Sequence, residues 1–343
     1  MRAVVIREHG GVECLRFEDL PVPEPGAKEV RVEVRAAGLN HLDTWVRRGV
    51  KGHTFPLPLI PGSDASGLVD CLGPGCESIA VGDEVVVLPG TSCGTCAACQ
   101  QGEDQLCRGY GILGETRDGT CAEYLVVPVA NLAPKPAALS FAEAASVPLV
   151  FQTAWSMLKK ARLRAGDHIL VHAGGSGVGS AAVQIARLLG AQVVATAGGA
   201  KKCESALALG AHHAIDYKSV DFAKAVKEWS PKRGVDVVFE HVGAATFAGS
   251  IRCLLRGGRL VTCGATTGGE VTISLHQLFF KNLELIGNTM GSKGDLLRVL
   301  ELFDQGALKP VLSEFVPMSE LRRAHEWLEA REVFGKIVVD PRA

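Results

Sequence analysis

HILVHAGGSGVGSAAVQIARLLGA, residues 168–191, is the stretch whose reading decides the architecture. It opens with an apolar run of strand length, 168–173, and turns through glycines at 174–179. It continues over 179–190 with apolar residues at helical spacing. A strand, a tight turn and a helix in this order aim the first helical amides at whatever lies above the turn. The positive end of the helix dipole points the same way, which is the arrangement a pyrophosphate requires. Gly174 and Gly179 match the outer glycines of G-x-G-x-x-G, with Ser176 in the middle place and Gly177 beside it. Gly174, Gly175, Ser176, Gly177, Val178 and Gly179 are therefore the candidate dinucleotide contacts. A glycine triplet alone is weak, and a plain strand-to-helix turn is the alternative.

The sequence on the C-terminal side favours the dinucleotide. Strand-like runs at 192–197, 213–216, 236–240, 259–263 and 283–287 alternate with helical patterns at 201–210 and 222–229. Parallel strands alternating with helices specify an open, doubly wound α/β sheet, and runs rich in Val, Ile and Leu are those covered on both faces. A site for the unphosphorylated nicotinamide cofactor places an acid at the end of the second strand. Here that strand, QVVATA, ends at Ala197 and is followed by Gly198 and Gly199. Lys201 and Lys202 come next and can neutralise a 2′-phosphate, while Tyr217 follows the third strand beside the same pocket. The reading is NADPH over NADH. A solvated helix start is the competing explanation of the two lysines.

Residues 1 to about 130 have a different rhythm. Short β-rich runs at 3–7, 29–37, 67–72 and 83–88 are separated by turns at Pro25 and Gly26, Pro61 and Gly62, and Gly73 to Gly75. This predicts an antiparallel, partly barrel-shaped domain. Within it, Cys93, Cys96, Cys99 and Cys107 follow C-x2-C-x2-C-x7-C. Thiolates so spaced can enclose one tetrahedral zinc, and four of them leave it no open position, so the metal is structural. An iron–sulfur cluster, free thiols and disulfides are the alternatives. Ser140 followed by Glu143 is a possible capping box, and a helix is expected over 153–161. Beyond 290 come a helix at 294–305, a strand near Val316 and a closing strand, Lys336–Asp340, expected to return to the first domain.

With 343 residues, 47% of them apolar, two domains are the expectation. The formal net charge of -1 comes without a basic stripe, which argues against a nucleic-acid partner. No apolar stretch reaches membrane-spanning length, and the N-terminal run lacks the apolar core of a secretion signal. Eleven cysteines, an odd number with four clustered, fit a reducing cytoplasm.

Taken together, the glycine turn, the four-cysteine lobe and the segment AAGLNHLDTWVRRG (36–49) resemble the medium-chain dehydrogenase/reductase superfamily over the whole chain. The resemblance implies a GroES-like catalytic domain at 1–135 and 291–343, with a zinc lobe at 91–109. It also implies a Rossmann domain at 136–290, and a homo-oligomer, dimer or tetramer. By position it adds Thr153 at a helix start, Val242 and Gly243 after the fourth strand, and Gly264 after the fifth as cofactor contacts. The lobe looks like that of zinc alcohol dehydrogenases. The segment 36–49, with its G-x-N-x-x-D-x-x-x-R-x-G pattern, looks like the quinone oxidoreductase and enoyl reductase branches.

The distinction decides the chemistry. The three places that hold catalytic zinc in the alcohol dehydrogenases are Asn40, Ser63 and Leu149 here. The expected reaction is hydride transfer from NADPH to a conjugated double bond in a small molecule: a quinone, an enone or an enoyl thioester. Asn40 is the candidate polar contact, a structural amide being the alternative. His41 is expected to hydrogen-bond beside the cofactor, and Asp43 to buttress the pocket. Tyr110 is weighed as a proton donor, and Trp45 cannot be one. A zinc-type alcohol or aldehyde dehydrogenase with an atypical metal site, using His41, Asp64 and another side chain, and a non-catalytic NADPH-binding protein are the competing readings.

Overall fold

A computed structural model describes residues 1–231 and 234–343. The chain forms two compact units, Val150–Gly291 and a discontinuous one made of Met1–Leu149 and Ser292–Ala343.

The contiguous unit is built on six parallel strands. Their order across the sheet is His213–Asp216, Gln192–Ala197, His168–Val171, Val235–Glu240, Leu254–Thr262 and Glu284–Gly287. In chain order this is third, second, first, fourth, fifth, sixth, so the direction of winding reverses beside His168–Val171. Ligands of such sheets bind outside the carboxyl ends of the strands at that reversal. Ile169, Leu170, Val171, Val193, Val194, Val237, Val238 and Phe239 are fully buried, because helices cover both faces.

Helix Gly177–Leu188 follows the first strand directly. Another helix begins earlier than the pattern at 153–161 suggests: it spans Pro148–Lys160, with the proline in the first helical position. Proline's fixed φ suits that place and its missing N–H would have had no partner there. Thr153 accordingly lies in the second turn and not at a helix start.

The discontinuous unit centres on the ten-residue strand Glu29–Gly38. It pairs antiparallel with Asp64–Leu72 along its length. On its other side it pairs with Tyr124–Pro128 through its first half and with Lys336–Asp340 at its end. Glu84–Val87, Leu132–Pro134 and Leu312–Pro317 extend the sheet. Its core includes Val30, Val32, Val34, Leu39, Val69, Leu125 and Val339. Helix Leu321–Ala330, unanticipated from the sequence, adds Leu321, Ala324 and Leu328.

The first unit extends past 135 to Leu149. The helix Phe141–Ala145 packs on Glu29–Gly38 and Asp64–Leu72, and the Phe141 carbonyl accepts from Ser66 Oγ at 2.6 Å. Ser140 and Glu143 form the capping box at its start.

Candidate functional site

The glycine turn has no room to be anything else. A Cβ on Gly179 would lie 2.2 Å from the Ala173 carbonyl oxygen, so the helix can approach the strand this closely only without a side chain there. Gly174 donates to the Thr196 carbonyl at 2.8 Å, tying the turn to the second strand. Ser176, at the middle place of the fingerprint, caps the helix: its Oγ accepts from Gly179 N at 3.0 Å. The first amides of the helix, Gly177 and Val178 among them, have no carbonyl within the helix to bond and are available to an anion.

Around this turn the sheet brings the other candidates of the same unit together. Gly243 has φ +93°, and a Cβ on it would lie 2.5 Å from the Gly268 carbonyl oxygen. Glu240, fully buried, accepts from the amides of Val242 at 2.7 Å and Gly243 at 3.2 Å, and from Thr246 Oγ1 and Ser250 Oγ. Burial works against its ionisation, yet the His172 ring and these donors hold it below the usual carboxylate range. His172 bonds Thr196 Oγ1 and Ser250 Oγ, and burial lowers its pKa. The Val242–Gly243 turn thus offers a ligand its carbon surface, its amides being spent on Glu240 and its carbonyls on Thr267, Thr246 and Phe247. Gly264 lies against the His241 carbonyl, and Thr153 Oγ1 is 3.8 Å from Met290 Sδ.

At the end of the second strand, Tyr217 Oη sits over Gly198, where a Cβ would meet it at 2.8 Å. Lys201 and Lys202 open the helix Ala200–Ala208. An acid that the sequence reading misses stands nearby. Asp216, closing the third strand, accepts from Gly199 N at 2.9 Å, Lys218 N at 3.0 Å and Ser219 Oγ at 2.9 Å. Those donors, the Gly199 amide first, lower its pKa.

In the discontinuous unit, Asn40 does not stand alone. Asp64 is fully buried and accepts from Leu149 N at 2.8 Å through one oxygen. Its other oxygen accepts from Asn40 Nδ2 at 3.0 Å and Lys336 Nζ at 2.9 Å. Lys336 Nζ also donates to Asn40 Oδ1 at 2.6 Å. Asn40 Nδ2 has its second contact with the Gly38 carbonyl at 3.4 Å. Lys336 is 4% exposed and was not anticipated; a lysine opening an otherwise apolar strand, KIVVD, was the available signal. Ser63 Oγ donates to the Leu113 carbonyl at 2.8 Å.

Asp43 buttresses this cluster through the Asn40 amide, at 2.7 Å. Burial pushes its carboxyl up to about 7, against the amides of Asn40 and Gly62 and the charge of Lys336. Tyr110 Oη packs against Gly90 without a hydrogen-bond partner, and burial drives its pKa upward, which is unhelpful to a proton donor.

The four lobe cysteines converge, with sulfurs all within 4.8 Å of one another. Cys93 to Cys99 is 3.9 Å, Cys96 to Cys99 3.5 Å and Cys107 to Cys93 3.5 Å. Tetrahedral thiolates with bonds of about 2.3 Å stand about 3.8 Å apart, so the donor set fits zinc. Amides of Thr95 and Cys96 lower Cys93 to about 6, favouring the thiolate. Among the described residues no other group of His, Cys, Asp and Glu converges in this way. Asp104 fastens the lobe by accepting from Lys293 N at 2.9 Å.

Known proteins share this arrangement. A family model for the alcohol dehydrogenase GroES-like domain matches residues 26–137, and one for zinc-binding dehydrogenases matches residues 177–305. A solved structure named as an NAD-dependent alcohol dehydrogenase is 51% identical, covers 99% of both chains and superposes with a TM-score of 0.96. The thermostable alcohol dehydrogenase of Pyrobaculum aerophilum, solved with cobalt and zinc, is 36% identical over 99% of both chains, with a TM-score of 0.91. The quinone oxidoreductase of Mus musculus is 30% identical over 95% of this chain and 93% of its own. With its GroES-like and Rossmann-type units and relatives of both kinds, the chain belongs to the medium-chain dehydrogenase/reductase superfamily and is an NAD(P)H-dependent oxidoreductase.

Proposed function

We propose that the protein reduces a conjugated carbon–carbon double bond in a quinone, an enone or an enoyl thioester, using NADPH and no catalytic zinc. The observation that carries this reading is the cluster at Asn40. Where the metal-dependent relatives place ligands, this chain has an amide locked to an ammonium, a serine hydroxyl turned to the Leu113 carbonyl and a leucine whose N–H serves Asp64. A conjugated acceptor needs no Lewis acid to make its β-carbon electrophilic; hydrogen-bond donors and positive charge suffice for its carbonyl oxygen.

The nicotinamide, when bound, supplies the hydride. Gly177 and Val178 amides receive the pyrophosphate, and Gly174, Gly175 and Gly179 let it come close to the backbone. Asp216 spends its oxygens on backbone amides and Ser219, leaving the rim of the Gly198–Gly199 turn to Lys201, Lys202 and Tyr217, which suits a 2′-phosphate. Cys93, Cys96, Cys99 and Cys107 hold one structural zinc. The four clustered thiols, placed for a metal, suit a reducing cytoplasm. A homo-oligomer is supported by exposed Leu275, Phe279 and Phe280 beside the edge strand Glu284–Gly287.

The test is a panel of quinones, enones, enoyl-CoA thioesters and alcohols, each assayed with both cofactors, beside metal analysis. Reduction of activated alkenes with about one zinc per chain supports the reading. Alcohol oxidation with about two zinc ions per chain establishes the alternative suggested by the 51% identical relative. The double variant K201A/K202A raises KM for NADPH on the order of tenfold and leaves NADH unchanged if the lysines meet the 2′-phosphate.

A further inference from the structure

We propose that Thr196 and His172 are positioning residues for the cofactor: a buried chain of hydrogen bonds, anchored on Glu240, runs through them and holds Ala173 and the glycine turn in the shape that receives the pyrophosphate. This rests on the reading above that the turn receives a dinucleotide, and it is independent of which acceptor is reduced.

Ala173, between the first strand and the glycines, has φ +45°. A residue with a side chain rarely holds that left-handed conformation, because its Cβ crowds the following carbonyl oxygen. Such strain persists where the surroundings fix it. Here both polar groups of Ala173 are held. Its N–H donates to Thr196 Oγ1 at 3.1 Å, and its carbonyl accepts from Ser176 N at 2.9 Å. That carbonyl is also the atom against which Gly179 packs. Relaxing Ala173 would swing the carbonyl away from Ser176, which caps the helix. The partly exposed stretch 176–178, with the amides offered to an anion, would move with it.

Thr196 does not act alone. His172 Nδ1 lies 3.1 Å from Thr196 Oγ1 and its Nε2 2.9 Å from Ser250 Oγ, which is 2.8 Å from Glu240 Oε2. One placement of hydrogens gives every group a partner. The Ala173 amide donates to Thr196 Oγ1, and that hydroxyl donates to His172 Nδ1. The Nε2–H of the ring donates to Ser250 Oγ, whose hydroxyl donates to Glu240. With the ring proton on Nδ1 instead, the Thr196 hydroxyl would have no acceptor among the described residues, and Glu240 would lose Ser250. His172, Thr196, Glu240 and Ser250 are all buried, so no solvent is at hand to replace a lost link. The other oxygen of Glu240 takes the Val242 and Gly243 amides, so one carboxylate braces both turns of this unit.

The test uses Thr196→Val, which keeps the shape and removes the hydroxyl, and Thr196→Ser, which keeps the hydroxyl. Ser250→Ala cuts the chain further along and serves if Thr196→Val fails to fold. Each is made in the parent and with Ala173→Gly, since glycine adopts a positive φ unaided. Dissociation constants for NADPH and NADH are read by fluorescence beside the thermal midpoint. Thr196→Val and Ser250→Ala should weaken binding roughly tenfold, while Thr196→Ser stays within about threefold of the parent. With Ala173→Gly the loss caused by Thr196→Val should shrink to under about threefold. The ¹⁵N spectrum of the His172 ring, assigned by its absence from His172→Gln, should show the proton on Nε2. Folded Thr196→Val and Ser250→Ala proteins that lose stability but bind within about threefold of the parent overturn the inference alone. So does an equal loss in the Ala173→Gly background, or a ring proton on Nδ1. A folded parent that binds neither cofactor defeats the dinucleotide reading itself, and this inference falls with it.

Discussion

Replacing Asp43 with asparagine removes a proton-binding event from the interior and leaves its shape. In the native protein the carboxyl is buried, one oxygen accepting from the Asn40 amide and the other, Oδ1, lacking a partner. Burial raises its pKa from 3.8 to about 7. Because the folded form holds the proton more tightly than the unfolded chain, the stability it contributes is complete below about pH 4. That contribution drains away as pH rises to about 7 and is gone above it. A shift of this size corresponds to about 4 kcal/mol, or a midpoint change on the order of 10 °C for a unit of this size. The asparagine side chain cannot titrate, so the difference in midpoint between parent and variant should move in the variant's favour by about three quarters of that amount between about pH 4.5 and pH 8. Trp45 and Trp327 lie in the same unit, and their fluorescence reports its unfolding. A difference that stays flat across the range would refute the claim that Asp43 is buried in its neutral form.

The other predictions concern the cofactor turn and the lobe. Gly179→Ala places a methyl 2.2 Å from the Ala173 carbonyl oxygen; the helix must shift, and NADPH binding followed by its fluorescence should weaken on the order of 100-fold. Cys107→Ser should drop zinc content from about one per chain to near zero and open residues 91–109 to limited proteolysis, while NADPH affinity persists.

Much of this is legible in sequence, for reasons that can be named. The parallel sheet declares itself because strands such as 168–171 and 235–240 are buried on both faces and cannot hide their composition. The cysteines converge because their spacing is local, 14 residues from Cys93 to Cys107. Lys336 is invisible for the opposite reason: its partners Asn40 and Asp64 lie 296 and 272 residues away. Asn40 stands out as a polar residue, but its partners Asp64, Lys336 and the Gly38 carbonyl show only in the geometry. The helix Leu321–Ala330 escapes notice because LRRAHEWLEA carries its apolar residues among charges. The expectation for Thr153 is displaced by a single proline at 148.

The strand Glu29–Gly38 receives its last neighbour, Lys336–Asp340, from residues made about 300 positions later. At about 5–20 residues per second the ribosome needs roughly 15–60 s to deliver them. During that interval the end of Glu29–Gly38 waits with bare amides and carbonyls, the kind of edge that chaperones shield. The same late strand brings Lys336, so Asp64 lacks this partner until translation is nearly finished. Nascent chains halted before residue 336 would therefore be clients of the folding machinery, and the newborn protein gains its Asp64–Lys336 pair only as its sheet closes.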